Sequence, residues 1–192
     1  KQKTMSKVIT VSRSYPPYHP KAGTPTLFVE RILVGMIHSE LISMSRCAEL
    51  ARGMGINNLG INEIRGFNLS LKHHTIRAGE RIKTGDKISL RYWGDDINPK
   101  SGRKGPYHSK QITIAHDDVE VVCYPFEINW SNIFLNNKHH GTIFKPDNMS
   151  VHLGDGFDNF QDFINWFILT KKLQETKMFR GQLICWNPYL KY

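Results

Sequence analysis

Cysteine is scarce in this chain of 192 residues: Cys47, Cys123 and Cys185 are the only three. They stand far apart and none forms a C-x-x-C pair. This argues against a disulfide framework and against a zinc knuckle, so reduced, partly buried thiols are expected. Long apolar runs are lacking too. None approaches the roughly 18 residues of a membrane-spanning helix, and no membrane partner is expected. The opening stretch 1–14 is polar and basic, without the apolar core of a signal peptide. Together these features point to a cytoplasmic setting, in which the N-x-S matches at Asn68, Asn129 and Asn148 mean little.

Several catalytic and cofactor motifs are also missing. There is no H-E-x-x-H, no G-x-G-x-x-G, no P-loop and no nucleophile elbow. Nine histidines are present, with adjacent pairs at His73-His74 and His139-His140. Neighbours on a strand point to opposite faces, so neither pair chelates by itself. No metal site and no cofactor are expected.

Acidic residues are outnumbered: 26 Lys and Arg face 17 Asp and Glu, a net charge of +9. Residues 65–110 hold eleven of the cations against four acids. Tyr92, Trp93 and Tyr107 stand among them. Clustered cations interleaved with aromatics suit phosphate contact and base stacking. The alternative is a solvated basic face that only keeps the chain soluble.

One domain is the default at this length. A first strand is expected over 7–12, then a stiff Pro-rich loop over 15–20 carrying Tyr18 and His19, which is either an ordinary packed loop or part of a pocket wall. Thr24 as N-cap and Pro25 at the first helical position predict a helix to about Ile37. Leu41, Met44, Cys47, Leu50, Ala51 and Met54 recur at helical spacing, and predict a helical insert within 39–64. Strands are predicted over 75–77, 87–93, 111–114, 119–123, 126–134, 142–145 and 182–186. The last is expected to close a barrel. Residues 136–141 read as a turn, and the long polar loop 94–106 as a flap over the basic face. Asp158 with Gln161 reads as a capping box, starting a helix that buries Phe160, Phe163, Ile164 and Phe167. A further helix fits 170–177. Many short strands with a few helices give an α+β fold around a β-barrel.

The chemistry-bearing residues concentrate in three segments. Lys72, Thr75 and Arg77 have the spacing K-x-x-T-x-R. A turn over 72–74 running into a strand brings the three together at the mouth of a sheet. Lys83-Thr84-Gly85-Asp86 is a tight turn feeding the strand that carries Arg91 and Trp93. Gly105-Pro106-Tyr107-His108-Ser109-Lys110 is a Gly/Pro loop.

This order of motifs, followed by Gly154-Asp155-Gly156-Phe157 and a short aromatic helix, resembles the ASCH domain, a branch of the PUA-like superfamily. The resemblance spans roughly 13–38 and 65–186. It implies a PUA-like small β-barrel with two to four flanking helices, here lengthened by the insert. It also implies binding of RNA or of a modified nucleoside or nucleotide. Lys72, His74, Arg77, Arg91, Trp93, Tyr107 and Lys110 are then the binding residues. One ASCH subgroup consists of small amidohydrolases acting on N4-acetylcytidine through a Lys, a Thr and a Glu. Lys72 and Thr75 match that set, and Asp155 stands at the acid position, one methylene shorter. The resemblance therefore carries an alternative, deacylation of a modified pyrimidine nucleoside. A Lys of lowered pKa would serve as base toward the threonine hydroxyl. A salt bridge at the barrel mouth is the non-catalytic reading of the same residues.

Overall fold

Alternation organises the first sheet. The computed structural model describes residues 6–56, 70–116, 118–129, 131–142 and 154–192. In it Lys7–Val11 (β1) runs parallel to Lys87–Trp93 (β3), from Lys7 opposite Ile88 to Val11 opposite Tyr92. Ile9 and Val11 of one strand, and Ile88, Leu90 and Tyr92 of the other, are buried. Gln111–Thr113 (β4) and Val119–Glu120 (β5) lie antiparallel along the other side of β3.

The second sheet has five strands. His74–Ala78 (β2) pairs with Met178–Cys185 (β9), followed by Val122–Asn129 (β6), Asn132–Leu135 (β7) and Lys138–Thr142 (β8), all antiparallel. Only Val121 separates β5 from β6, so one extended run passes from sheet to sheet. The break has a cause in the preceding turn: Val121 exchanges backbone hydrogen bonds with Gly85 and Asp86, at 2.9 and 3.2 Å, and Thr84 Oγ1 accepts from the Cys123 N–H at 3.0 Å. The run expected over 119–123 is thereby split.

Among the described residues β1 and β2 each stand at one edge of their sheet. Arg77 of β2 donates through Nη2 to the Thr10 carbonyl of β1 at 2.6 Å. The sheets enclose one core with a seam between β1 and β2, and no closed barrel forms among the described residues. β9, expected to close a barrel, instead lies between β2 and β6.

Phe28–His38 (α1) begins later than Thr24 and Pro25 suggest. Residues 24–26 are held by the segment before them: Tyr15 N–H donates to Thr24 O and Thr26 N–H to Arg13 O. The helix can start only after that pairing ends, and it does so from Leu27 in a left-handed conformation, φ 57°. Its apolar side, including Phe28, Ile32, Leu33 and Met36, is buried in the core. Met44–Gly53 (α2) is the helical part of the expected insert, capped by Ser43, which accepts from the Arg46 N–H. It buries Cys47 and Ala51.

The stretch read as one strand over 126–134 is a hairpin, β6 to β7, turned at the Asn129 side chain, which accepts from the N–H groups of Ser131 and Asn132. The turn expected over 136–141 is confined to Asn136 and Asn137, both at positive φ, and β8 follows at once. Phe160–Ile168 (α3) is capped by Asn159, not Asp158, through a 2.8 Å bond from the Asp162 N–H. Lys171–Thr176 (α4) follows. The 15–20 loop packs on α3: Tyr15 and His19 stack at 4.4 Å, and His19 Nε2 meets the Asp162 carbonyl at 3.1 Å. The part of the expected insert from 57 to 64, and positions 143–145 of the strand expected over 142–145, lie outside the described residues.

Among the described residues no helix is long and apolar enough to cross a membrane.

Candidate functional site

The site lies at the seam. Lys72 precedes β2 and forms an isolated antiparallel bridge with Asp155, where a turn had been expected. Three contacts hold this segment. Lys72 N–H donates to Arg31 O at 3.2 Å, His73 N–H to Gly154 O at 2.7 Å, and Trp186 N–H to His73 O at 3.1 Å. The approach of α1 depends on Gly35, because a Cβ there would stand 2.8 Å from the Lys72 carbonyl oxygen.

Lys72 is 1% exposed and Asp155 3%. The ammonium donates to the Asp155 carbonyl oxygen at 2.6 Å and also to its carboxylate. It sits 4.3 Å from the centroid of the Phe28 ring, a cation–π contact. Burial lowers the Lys72 amine to about 8, against the opposing pull of Asp155. Burial likewise raises the Asp155 carboxyl, opposed by Lys72 and then Arg77. Desolvation thus pushes both partners toward neutrality, and each restrains the other.

Thr75 is 2% exposed and makes no side-chain hydrogen bond to the described residues. With Phe28, Lys72, Arg77, Asp155 and Trp166 it lines a cavity of about 20 Å³. That volume accommodates one water molecule. Lys72, Thr75 and Arg77 therefore converge, though through the Lys72–Asp155 bridge and not the expected turn, and Asp155 joins them. Arg77, however, is committed to the backbone: besides Thr10 it donates to Ile76 O at 3.2 Å.

His74 belongs elsewhere. It is fully buried, with Nδ1 2.6 Å from the Tyr192 hydroxyl. Arg91, Trp93, Tyr107 and Lys110 belong to the first sheet and its loop. Arg91 Nε donates to Ser89 Oγ at 2.7 Å. Trp93 and Tyr107 meet with centroids 5.5 Å apart at 49°, and Lys110 is exposed. The residues expected to bind thus divide into an interior group and a group on the first sheet and its loop, with His74 in neither.

Three residues of the site escape the spacing argument. Phe28 and Trp166, apolar residues of α1 and α3 outside the three polar segments, wall the cavity. Arg31, set among the apolar positions of α1, is 4% exposed and forms a two-bonded pair with Asp158 at 2.7 and 2.6 Å. A cation inside an apolar stripe is the signal that calls for such an acid. Asp158 is held below the usual carboxylate range by Arg31 and by Ser70, burial opposing them.

Among the described residues no group of three or more His, Cys, Asp or Glu is placed to hold a metal ion. Comparison with protein-family models, with curated proteins and with solved structures finds no match to this chain.

Proposed function

We propose that the chain is a PUA-like, ASCH-type domain that binds RNA or a modified nucleoside through the seam pocket and the basic face beside it. One observation carries the reading: a buried ammonium, a buried carboxylate and an unengaged threonine hydroxyl line the same cavity. A nucleobase presents mixed donors and acceptors on its edge, and this set offers both. In the present state the cavity has room for one water. A base edge would take that water's place, with Phe28 and Trp166 yielding around it.

Isothermal titration with cytidine, N4-acetylcytidine and short RNA tests this reading. Binding that is lost in Thr75→Val supports it. Absence of binding to any nucleoside or oligonucleotide overturns it.

A second reading, deacylation of a modified pyrimidine nucleoside, is favoured by the lowered pKa of Lys72. The neutral form of the Lys72 amine accepts the Thr75 proton while Asp155 orients it, the Thr75 oxygen attacks the acyl carbonyl, and the acyl C–N bond breaks as the cytidine N4 amine leaves with the proton returned by Lys72. Water then hydrolyses the acyl-threonine. Chromatography of N4-acetylcytidine incubated with the wild type and with Lys72→Ala tests it. Turnover that vanishes in the variant supports an enzyme, and no turnover in the wild type removes this second reading.

A further inference from the structure

The loop between β3 and β4, residues 94–110, holds a group of charges and rings that the seam pocket does not use. It is closed at its base by Gly94 N–H donating to Lys110 O at 2.9 Å. Inside, Asn98 Nδ2 donates to His108 O at 2.9 Å, and Asn98 Oδ1 accepts from Lys100 N–H at 2.9 Å. Ser109 Oγ accepts from Gly105 N–H at 2.7 Å and donates to Asp96 O at 2.6 Å. These bonds fix the loop's shape before any partner arrives.

The braced loop presents an aromatic surface. Tyr107 is 87% exposed and holds a positive φ of 65°. A non-glycine residue in that conformation stores about 1–3 kcal/mol of strain. Trp93 supports the ring from β3. The 5.5 Å between centroids is too short for a base to enter between them, which needs about 7 Å, two ring contacts of about 3.5 Å each. The free face of Tyr107 is the one open to a ligand.

The charges of the loop divide unevenly. Both acids are engaged: Asp95 with Arg13 at 2.5 Å, and Asp96 as acceptor from the Lys110 N–H at 3.1 Å. The cations Lys100, Arg103, Lys104 and Lys110 are exposed and have no ion pair among the described residues. An exposed ring beside unpaired cations matches a base joined to phosphates.

We infer that the 94–110 loop is a docking element for single-stranded nucleic acid, in which one unstacked base lies on Tyr107 and the flanking phosphates meet Lys100, Arg103, Lys104 and Lys110. This rests on the nucleic-acid reading above and narrows it to a class of partner. A duplex covers its base faces with neighbouring pairs and offers nothing to Tyr107.

The full chain is titrated, by its tryptophan fluorescence, with a 12-nucleotide oligo-U, the matching oligo-dT, a 12-base-pair duplex and a polyglutamate peptide. Either single strand is expected to bind at least about tenfold more tightly than the duplex and the peptide. Tyr107→Ala is expected to weaken single-strand binding by about tenfold, and Tyr107→Phe to restore it. Lys104→Gln is expected to reduce the slope of log K against log salt by about 0.7. Duplex or polyglutamate binding as tight as the single strand overturns the inference, as does a Tyr107→Ala variant equal to wild type. A loss seen with Thr75→Val but not with Tyr107→Ala moves the oligonucleotide to the seam pocket: the loop's role fails and the pocket reading stands.

Discussion

The Lys72 ammonium donates to both the main-chain carbonyl and the carboxylate of Asp155, a residue 83 positions along the chain. This contact ties the segment before β2 to the segment before α3 and places two opposite charges inside the protein. Breaking a buried pair from one side leaves the other charge without compensation. Lys72→Met and Asp155→Asn are each expected to lower unfolding free energy by about 3–5 kcal/mol. The double variant is expected to lose less than the two losses added. Urea denaturation of the three variants measures this, and additive losses would contradict a direct pair.

His73 sets an acid limit on stability. Its ring lies beside α1, and its Nδ1 is 3.1 Å from the Asn187 side-chain amide. Burial first, then the charge of neighbouring His38, hold its pKa down at about 4, against an ordinary 6.5. Between those values the unfolded chain binds a proton that the folded chain does not, so stability rises with pH there. The contribution is complete above pH 6.5 and is lost as pH falls toward 4. The wild type is expected to lose more stability than His73→Gln between pH 7 and pH 4, and equal losses would contradict this.

Gly181 is required where β9 crosses β2. A Cβ at this position would stand 2.0 Å from the Arg77 carbonyl oxygen. Gly181→Ala is expected to cost about 3 kcal/mol or more, the upper end for overpacking. At Gly53, nothing lies within 4 Å of the added Cβ, and Gly53→Ala is expected not to destabilise. Thermal melts of the two variants separate the cases, and similar melts would show that β9 can shift.

The Tyr192 hydroxyl meets His74 Nδ1 at 2.6 Å and anchors the last residue of the chain against the second sheet. Burial raises the Tyr192 phenol well above its usual value. Tyr192→Phe is expected to lower stability by about 1–3 kcal/mol, because the buried 2.6 Å hydrogen bond between the hydroxyl and His74 Nδ1 is removed. A melt unchanged by the substitution would mean that water replaces the hydroxyl.

What local rules encode could be read from the sequence. The strand 87–93 follows from alternation behind a T-G-D turn, and the aromatic helix from the spacing of Phe163, Ile164 and Phe167. Lys72, Thr75 and Arg77 do line one cavity, although the turn that their spacing assumed is replaced by a bridge, and the salt bridge weighed as the non-catalytic reading of Lys72 and Asp155 is present. What depended on distant pairing was not legible. The late start of α1 is set by residues 13–15, the break at Val121 by the 85–86 turn, and the position of β9 by its two neighbours. The two fates of arginine were hidden for the same reason. Arg77 carries a binding spacing and holds the seam, while Arg31 sits in an apolar stripe and is buried against Asp158.

The central claim is that the cavity shared by Lys72, Thr75 and Asp155 takes a nucleoside. Calorimetric titration of the wild type and Thr75→Val with N4-acetylcytidine, cytidine and a short RNA, each mixture then run on a chromatography column, tests it most directly. Saturable heat in the wild type that disappears in Thr75→Val is the expected result, and product on the column would add catalysis to binding. No heat with any ligand, or heat that Thr75→Val leaves unchanged, would contradict the claim and make the Lys72–Asp155 pair a structural ion pair.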